Sequence, residues 1–245
     1  SDAEAAKRVL VFDSKGLLLN NRPLPHYKAG FAQDESVLEE WGFEGDTKSL
    51  EDVISQAGVT ALVGLSGQTG AFSESVVRAV AANTDSPVIF ALSNPNSHCE
   101  GDPQDFSDWT DGKAIVATGS PFPDVHHLGR RHPVAQGNNA FIFPGLGFGS
   151  MLSGATSITD GMVLAGAYAL AEYTKIHHGN SLRLYPPLEE LREASFDVAA
   201  AVIQAAIDDG VCTKTELKAK NLKTHVQEQS WEPHYLPVVC GDNAV

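Results

Sequence analysis

Four short stretches of the 245-residue chain combine residue types that could hold a nucleotide or another small ligand. The first is Gly64-Leu65-Ser66-Gly67-Gln68-Thr69-Gly70, which falls between a strand-like and a helix-like run. Glycines there let backbone approach a ligand, and the N-terminus of the following helix favours negative charge. Gly64, Ser66 and Gly67 are the candidate contacts, although a tight strand-to-helix turn alone would use the same residues. The second stretch is Ser93-Asn94-Pro95, after the next apolar run, where the Asn94 amide can donate and accept at once. The third, Gly119-Ser120-Pro121-Phe122, follows the run after that. The fourth is Asp13, at the end of Arg8–Asp13 (RVLVFD). Ligands of open α/β sheets bind at the carboxyl ends of the strands, so four such ends point to a site more strongly than any one.

Asp13 has the form of the acid that ends the second strand of a dinucleotide-binding sheet and accepts hydrogen bonds from a ribose. That acid follows a glycine-rich turn by about 20 residues, and counting back from Asp13 runs off residue 1. The expectation is a sheet lacking its first strand and glycine turn. The bland alternative is that Asp13 ends a strand in the turn Ser14-Lys15-Gly16. Asn139–Ser150 (NAFIFPGLGFGS) imitates the missing fingerprint through Gly145-x-Gly147, but Ser150 stands where the third glycine belongs. A close helix-packing turn is the expected role.

The elements that must position these residues alternate. Strands are expected at Arg8–Asp13, Thr60–Gly64, Pro87–Leu92 and Ala114–Thr118, with helices at Ser49–Gln56, Phe72–Asn83 and Pro103–Trp109. Short apolar β-branched runs separated by helices indicate a doubly wound, mainly parallel sheet. Helices are expected again at Ser150–Gly154, Asp160–Tyr173, Leu188–Asp208 and Thr215–Gln227, with Asp160 and Thr213 as N-caps. The expected division is an α/β domain over 1–145 and a helical C-terminal extension over 146–245. Ser230–Val239, with Trp231, Pro233, Tyr235 and Pro237, reads as an irregular segment laid across a surface.

Composition sets outer limits. Lys and Arg number 17 and Asp and Glu 31, a formal net charge of −14. A field of that sign opposes nucleic-acid backbones and anionic membranes. No apolar run reaches the ~18 to 20 residues that cross a bilayer. Cys99, Cys212 and Cys240 are odd in number and far apart, so no disulfide framework or zinc site is expected. His126-His127, His132 and His177-His178 lie in loops or adjacent pairs rather than at metal-ligand spacing. Arg130-Arg131 and Asp102, Asp105, Asp108 and Asp111 read as solvated charge.

SNP at 93–95, GSPF at 119–122 and QGNN-x-x-IFPG at 136–145 resemble the cofactor-binding domain of malic enzymes. VFDSKGL at 11–17, the Gly64–Phe72 loop and LYPPL at 184–188 agree, in the family's order, over about residues 5–237. The resemblance implies oxidation of L-malate and decarboxylation to pyruvate, with a nicotinamide cofactor and a divalent Mn or Mg ion. It implies that Asn94 and the pair Asn138–Asn139 reach malate and nicotinamide, and that Asp13 holds the adenosine ribose. Ser14, and Lys28 in HYKAGF, suggest NADP as the cofactor with NAD second, because a ribose phosphate needs cationic or small donors. The family's acid–base residues and metal ligands are expected upstream of residue 1, so the chain alone is expected to be inactive. An oligomeric, cytoplasmic enzyme is implied, with mitochondria or plastids left open. Two rival readings are a malolactic enzyme fragment, giving lactate, and a non-catalytic module that binds NADP(H).

Overall fold

The computed structural model describes residues 2–179, 183–233 and 235. Pro237, Val239 and Cys240, named above, lie outside the described residues. The described helices are α1 (Asp2–Ala6), α2 (His26–Ala29), α3 (Ser36–Glu40), α4 (Leu50–Ala57), α5 (Glu74–Asn83), α6 (Pro103–Trp109), α7 (Phe143–Ser153), α8 (Asp160–His178), α9 (Leu191–Asp208) and α10 (Leu222–Gln229). The strands are β1 (Phe12–Asp13), β2 (Gly16–Leu17), β3 (Ala61–Gly64), β4 (Val88–Ala91), β5 (Ile115–Thr118), β6 (Val125–His127), β7 (Arg130–His132) and β8 (Ala135–Gln136). The chain divides into two compact units, one running to Asn138 and including 183–185, the other running from Asn139 to 179 and from 186 onward.

The first unit is an α/β fold around a parallel sheet of order β3-β4-β5-β8. Gly64 aligns with Ala91, Ala91 with Thr118 and Thr118 with Gln136, so the four carboxyl ends stand side by side. Hydrogen bonds carry the ladder past them, from Leu92 N–H to the Gly64 carbonyl, from Gly119 to Ala91 and from Gly137 to Thr118. Ile54, Val77, Val80, Ile89 and Phe106 form the apolar filling between the sheet and its helices. Ser49 caps α4, Ser73 caps α5 and Asp102 caps α6, each side chain accepting a first-turn amide.

Three expectations for this unit need correction. Arg8–Asp13 does not join the parallel sheet among the described residues. Only Phe12–Asp13 is strand, and it pairs antiparallel with Gly16–Leu17. A strand is defined by its ladder partner, and the nearest partner here is the segment after its own turn. Gly16 permits that turn at φ +101°, where a Cβ would also meet the Thr47 carbonyl. The stretch 125–132, read as a loop, is the hairpin β6–β7. Its turn uses Leu128 and Gly129 at positive φ, a pairing weaker in sequence than Asn-Gly. The short β8 was also not foreseen.

The second unit is helical. Phe196, Ala199, Ile203, Leu217 and Val226 form its core. The glycines of 139–150 lie inside α7, which begins at Phe143, seven residues before the expected start. A Cβ on Gly145 would stand 2.6 Å from Val198 Cβ, and one on Gly149 2.7 Å from the Ala199 carbonyl. The close packing expected of this segment is therefore present, with Gly149 rather than Gly147 as the second contact. The expected caps shift: Thr159 caps α8, one residue before Asp160. Thr213 instead donates to the Gly154 carbonyl, and Asn221 caps α10. No helix among the described residues is long and apolar enough to cross a membrane.

Candidate functional site

The strand-end turns of the first unit are organised by a residue that carried no signal in the sequence. Glu100 is fully buried, with 0% of its surface exposed. Its Oε1 accepts the Ser66 N–H at 2.9 Å, the Ser66 hydroxyl at 3.1 Å and the Ser93 hydroxyl at 2.5 Å. Its Oε2 faces the Ser93 N–H at 3.4 Å, and its own carbonyl accepts the Phe72 N–H. Burial pushes this carboxyl up, but the hydrogen bonds from Ser93 and Ser66 prevail and hold it below the usual range. Gly64 is required beside it, because a Cβ there would stand 2.5 Å from the carboxylate carbon. Gly67 N–H donates to the Ser93 hydroxyl, and the Thr69 hydroxyl to the Ser97 carbonyl. Ser66 and Gly67 thus form one hydrogen-bonded assembly with Ser93 and Glu100, and Gly64 makes room for it.

Asn94 lies one residue beyond Ser93 and precedes Pro95 through a cis peptide bond. Its Oδ1 accepts the Ser120 hydroxyl, which fixes the orientation of the amide. Gly119 allows that approach, since a Cβ there would run into the Leu92 carbonyl and the Asn94 amide nitrogen. The SNP and GSPF motifs therefore meet at the ends of β4 and β5. Asn138 closes the first unit, its N–H donating to the Gln136 carbonyl. Asn139 opens the second unit at the start of a single 3-10 turn, and is exposed.

Asp13 ends β1 between two cations. Its Oδ2 accepts Lys28 Nζ at 2.7 Å, and its Oδ1 accepts Arg22 at 3.0 Å and the Lys15 N–H at 2.8 Å. Lys28 first, then the Lys15 amide, outweigh burial, and with Arg22 they hold this carboxyl far below the usual range. Three of its four or so acceptor positions are occupied. Ser14 is exposed in the adjoining turn. The sequence suggested Lys28 as a neighbour of Asp13; Arg22 was missed, because a charged residue in an irregular loop shows no periodicity to place it.

The remaining candidates have local roles. His127 Nδ1 lies 3.2 Å from Asp108, and Arg131 pairs with Asp124. Cys99 is buried, and burial pushes its thiol up, away from reactivity. His178 and Tyr173 both bond Glu190 Oε2, and the Tyr173 hydroxyl is pushed up to about 12 by burial and by that carboxylate. No group of three or more His, Cys, Asp or Glu that could hold a metal ion occurs among the described residues.

A parallel sheet with glycine and amide turns at its carboxyl ends defines a Rossmann-type dinucleotide-binding domain. Residues 1–207 match the family model for the NAD-binding domain of malic enzyme, and the chain belongs to the malic enzyme family. It is 39% identical over 236 residues to an NAD-dependent malic enzyme of Sodalis glossinidius, covering 96% of this chain and 41% of that protein. An NAD-dependent malic enzyme of Edwardsiella ictaluri is 41% identical over the same shares. The crystal structure of a malic enzyme from Entamoeba histolytica is similar with a TM-score of 0.68 and 25% identity, over 90% of this chain and 41% of that one. A malic enzyme from Pyrococcus horikoshii, 19% identical with a TM-score of 0.63 over 86% of this chain and 43% of that one, shares the fold. The chain spans about 41% of the length of the curated relatives it matches.

Proposed function

We propose that this chain is the dinucleotide-binding part of a malic enzyme that oxidises L-malate and releases pyruvate and carbon dioxide. The observation that carries this reading is the meeting of Asn94, Gly119 and Ser120 beside the braced loop of Gly64, Ser66 and Gly67, in a chain of that family. A bound nicotinamide supplies the hydride acceptor. The chain's own residues bind and orient: the loop brings backbone up to the phosphates, and Asn94 holds a carboxamide or a carboxylate. A neutral amide does this without changing the charge of the site as hydride moves. Asn138 and Asn139 are assigned the same task. Asp13 keeps one acceptor position for a ribose hydroxyl.

The dinucleotide is assigned as NAD, since the matched relatives are NAD-dependent and Lys28 is engaged by Asp13. NADP is the second reading, favoured by the two cations on one carboxylate. The Mn or Mg ion of the family resemblance does not fit the side chains described, and no step is derived through it. The acid–base and metal groups are assigned to the length of the relatives that this chain does not span. Assembly into dimers or tetramers in the cytoplasm, and pyruvate rather than lactate as product, complete the proposal.

Fluorescence titration with NADH and NADPH tests the reading. NADH saturation with weaker NADPH binding is expected. Tighter NADPH binding would decide for NADP, and binding of neither would sink the dinucleotide assignment. An assay of the chain alone with malate and manganese should stay silent; cofactor reduction would place the missing groups inside these residues.

A further inference from the structure

We propose that Glu100 is a positioning residue for the dinucleotide site, a buried anion that fixes the turns after β3 and β4 relative to each other. The inference rests on the dinucleotide reading and names the group that gives that site its shape. A buried carboxylate needs several donors, and both turns supply them to Glu100: Ser66 through nitrogen and hydroxyl, and Ser93 likewise. Because a carboxylate only accepts, the Ser93 hydroxyl must donate to it, which leaves a Ser93 lone pair for the Gly67 N–H. Glu100 thus acts on Gly67 through Ser93, and on Asn94 by holding the residue before it. The face of Gly64 closes one side of the carboxylate, with no room there for a Cβ. The Ser66 hydroxyl and N–H consequently both point inward, so Ser66 serves the site by shaping its turn.

The replacement Glu100→Gln keeps the shape but sets an amide N–H₂ against the Ser93 N–H. It leaves the Ser93 hydroxyl only a neutral amide oxygen to donate to, which holds it more weakly. Hydrogen exchange of the 245-residue chain reads the brace, and NADH titration reads its consequence. Exchange at Ser66 and Gly67 should speed up by roughly tenfold, and NADH binding should weaken by about the same factor, the scale of one charge-assisted hydrogen bond. Leu62 and Ile89 in the strands should keep their exchange rates, which a general loss of packing would not allow. Ser93→Ala should reproduce both effects, Ser93→Thr should restore them, and the double variant should be no worse than Ser93→Ala. Should Glu100→Gln fail to fold, the Ser93 pair carries the test. Unchanged Gly67 exchange in either single variant, or additive losses in the double variant, overturns the proposal. If the wild-type chain binds no NADH, the dinucleotide reading fails, while the exchange result still judges the brace.

Discussion

The strand ends of the first unit and the helices of the second meet the same need, close approach of backbone, by opposite means. At the strand ends a buried charge draws two turns together, and glycine at 64 makes room for the carboxylate. In the helical unit no charge is involved, and glycines at 145 and 149 let α7 settle against the backbone of α9. A glycine in either place is there because of what stands opposite it. The chemical nature of that neighbour, carboxylate or helix backbone, decides whether the contact shapes a site or fills a core.

The sharpest way to break this comparison is to add side chains. Gly145→Val should be the most damaging change, about 3 kcal/mol in chemical denaturation, because both neighbours are fixed by α9 itself. Gly64→Ala should cost about 2 kcal/mol and weaken NADH binding as well, since Glu100 must yield. A Gly64→Ala chain that binds NADH normally would show that the two regions do not differ in kind.

A smaller effect is expected at Asp13, where the charge is partly exposed rather than enclosed. Its carboxyl lies below the ordinary value in the folded chain, so its contribution is present above the unfolded pKa and is lost as pH falls below about 4. Asp13→Asn should therefore cost about 1 kcal/mol at pH 7, and the gap to wild type should close in acid. A gap that does not shrink at all between pH 7 and pH 2 would assign the residue a role other than its charge. The mildest change has the opposite sign. Gly147→Ala meets nothing within 4 Å, so it should stabilise α7 by about 0.5 to 1 kcal/mol. Destabilisation there would mean that α7 needs flexibility as well as small contacts.

Local pattern made much of the architecture readable. The runs at 60–64, 87–92 and 114–118 became β3, β4 and β5 within one residue at each end, and the helices at 49–56 and 103–109 followed. Their β-branched and apolar residues suit a buried ladder, and their capping residues mark where each helix begins. The start of α7 was hidden because three glycines depress helix propensity, and only the fit against α9 makes them favourable. Glu100 was hidden for a related reason. In the stretch His98–Asp102 a carboxylate looks like surface charge, and nothing local says that its donors lie 34 and 7 residues away.

By itself the sequence determined the alternation of strands and helices, the motifs at their ends and the family those motifs indicate, because these are written in residues close together along the chain. The tertiary structure alone decided where Phe12–Asp13 pairs, which cations sit on Asp13 and which buried carboxylate ties the turns together. Those outcomes depend on partners distant in sequence, whose hydrogen bonds and packing exist only once the chain has folded.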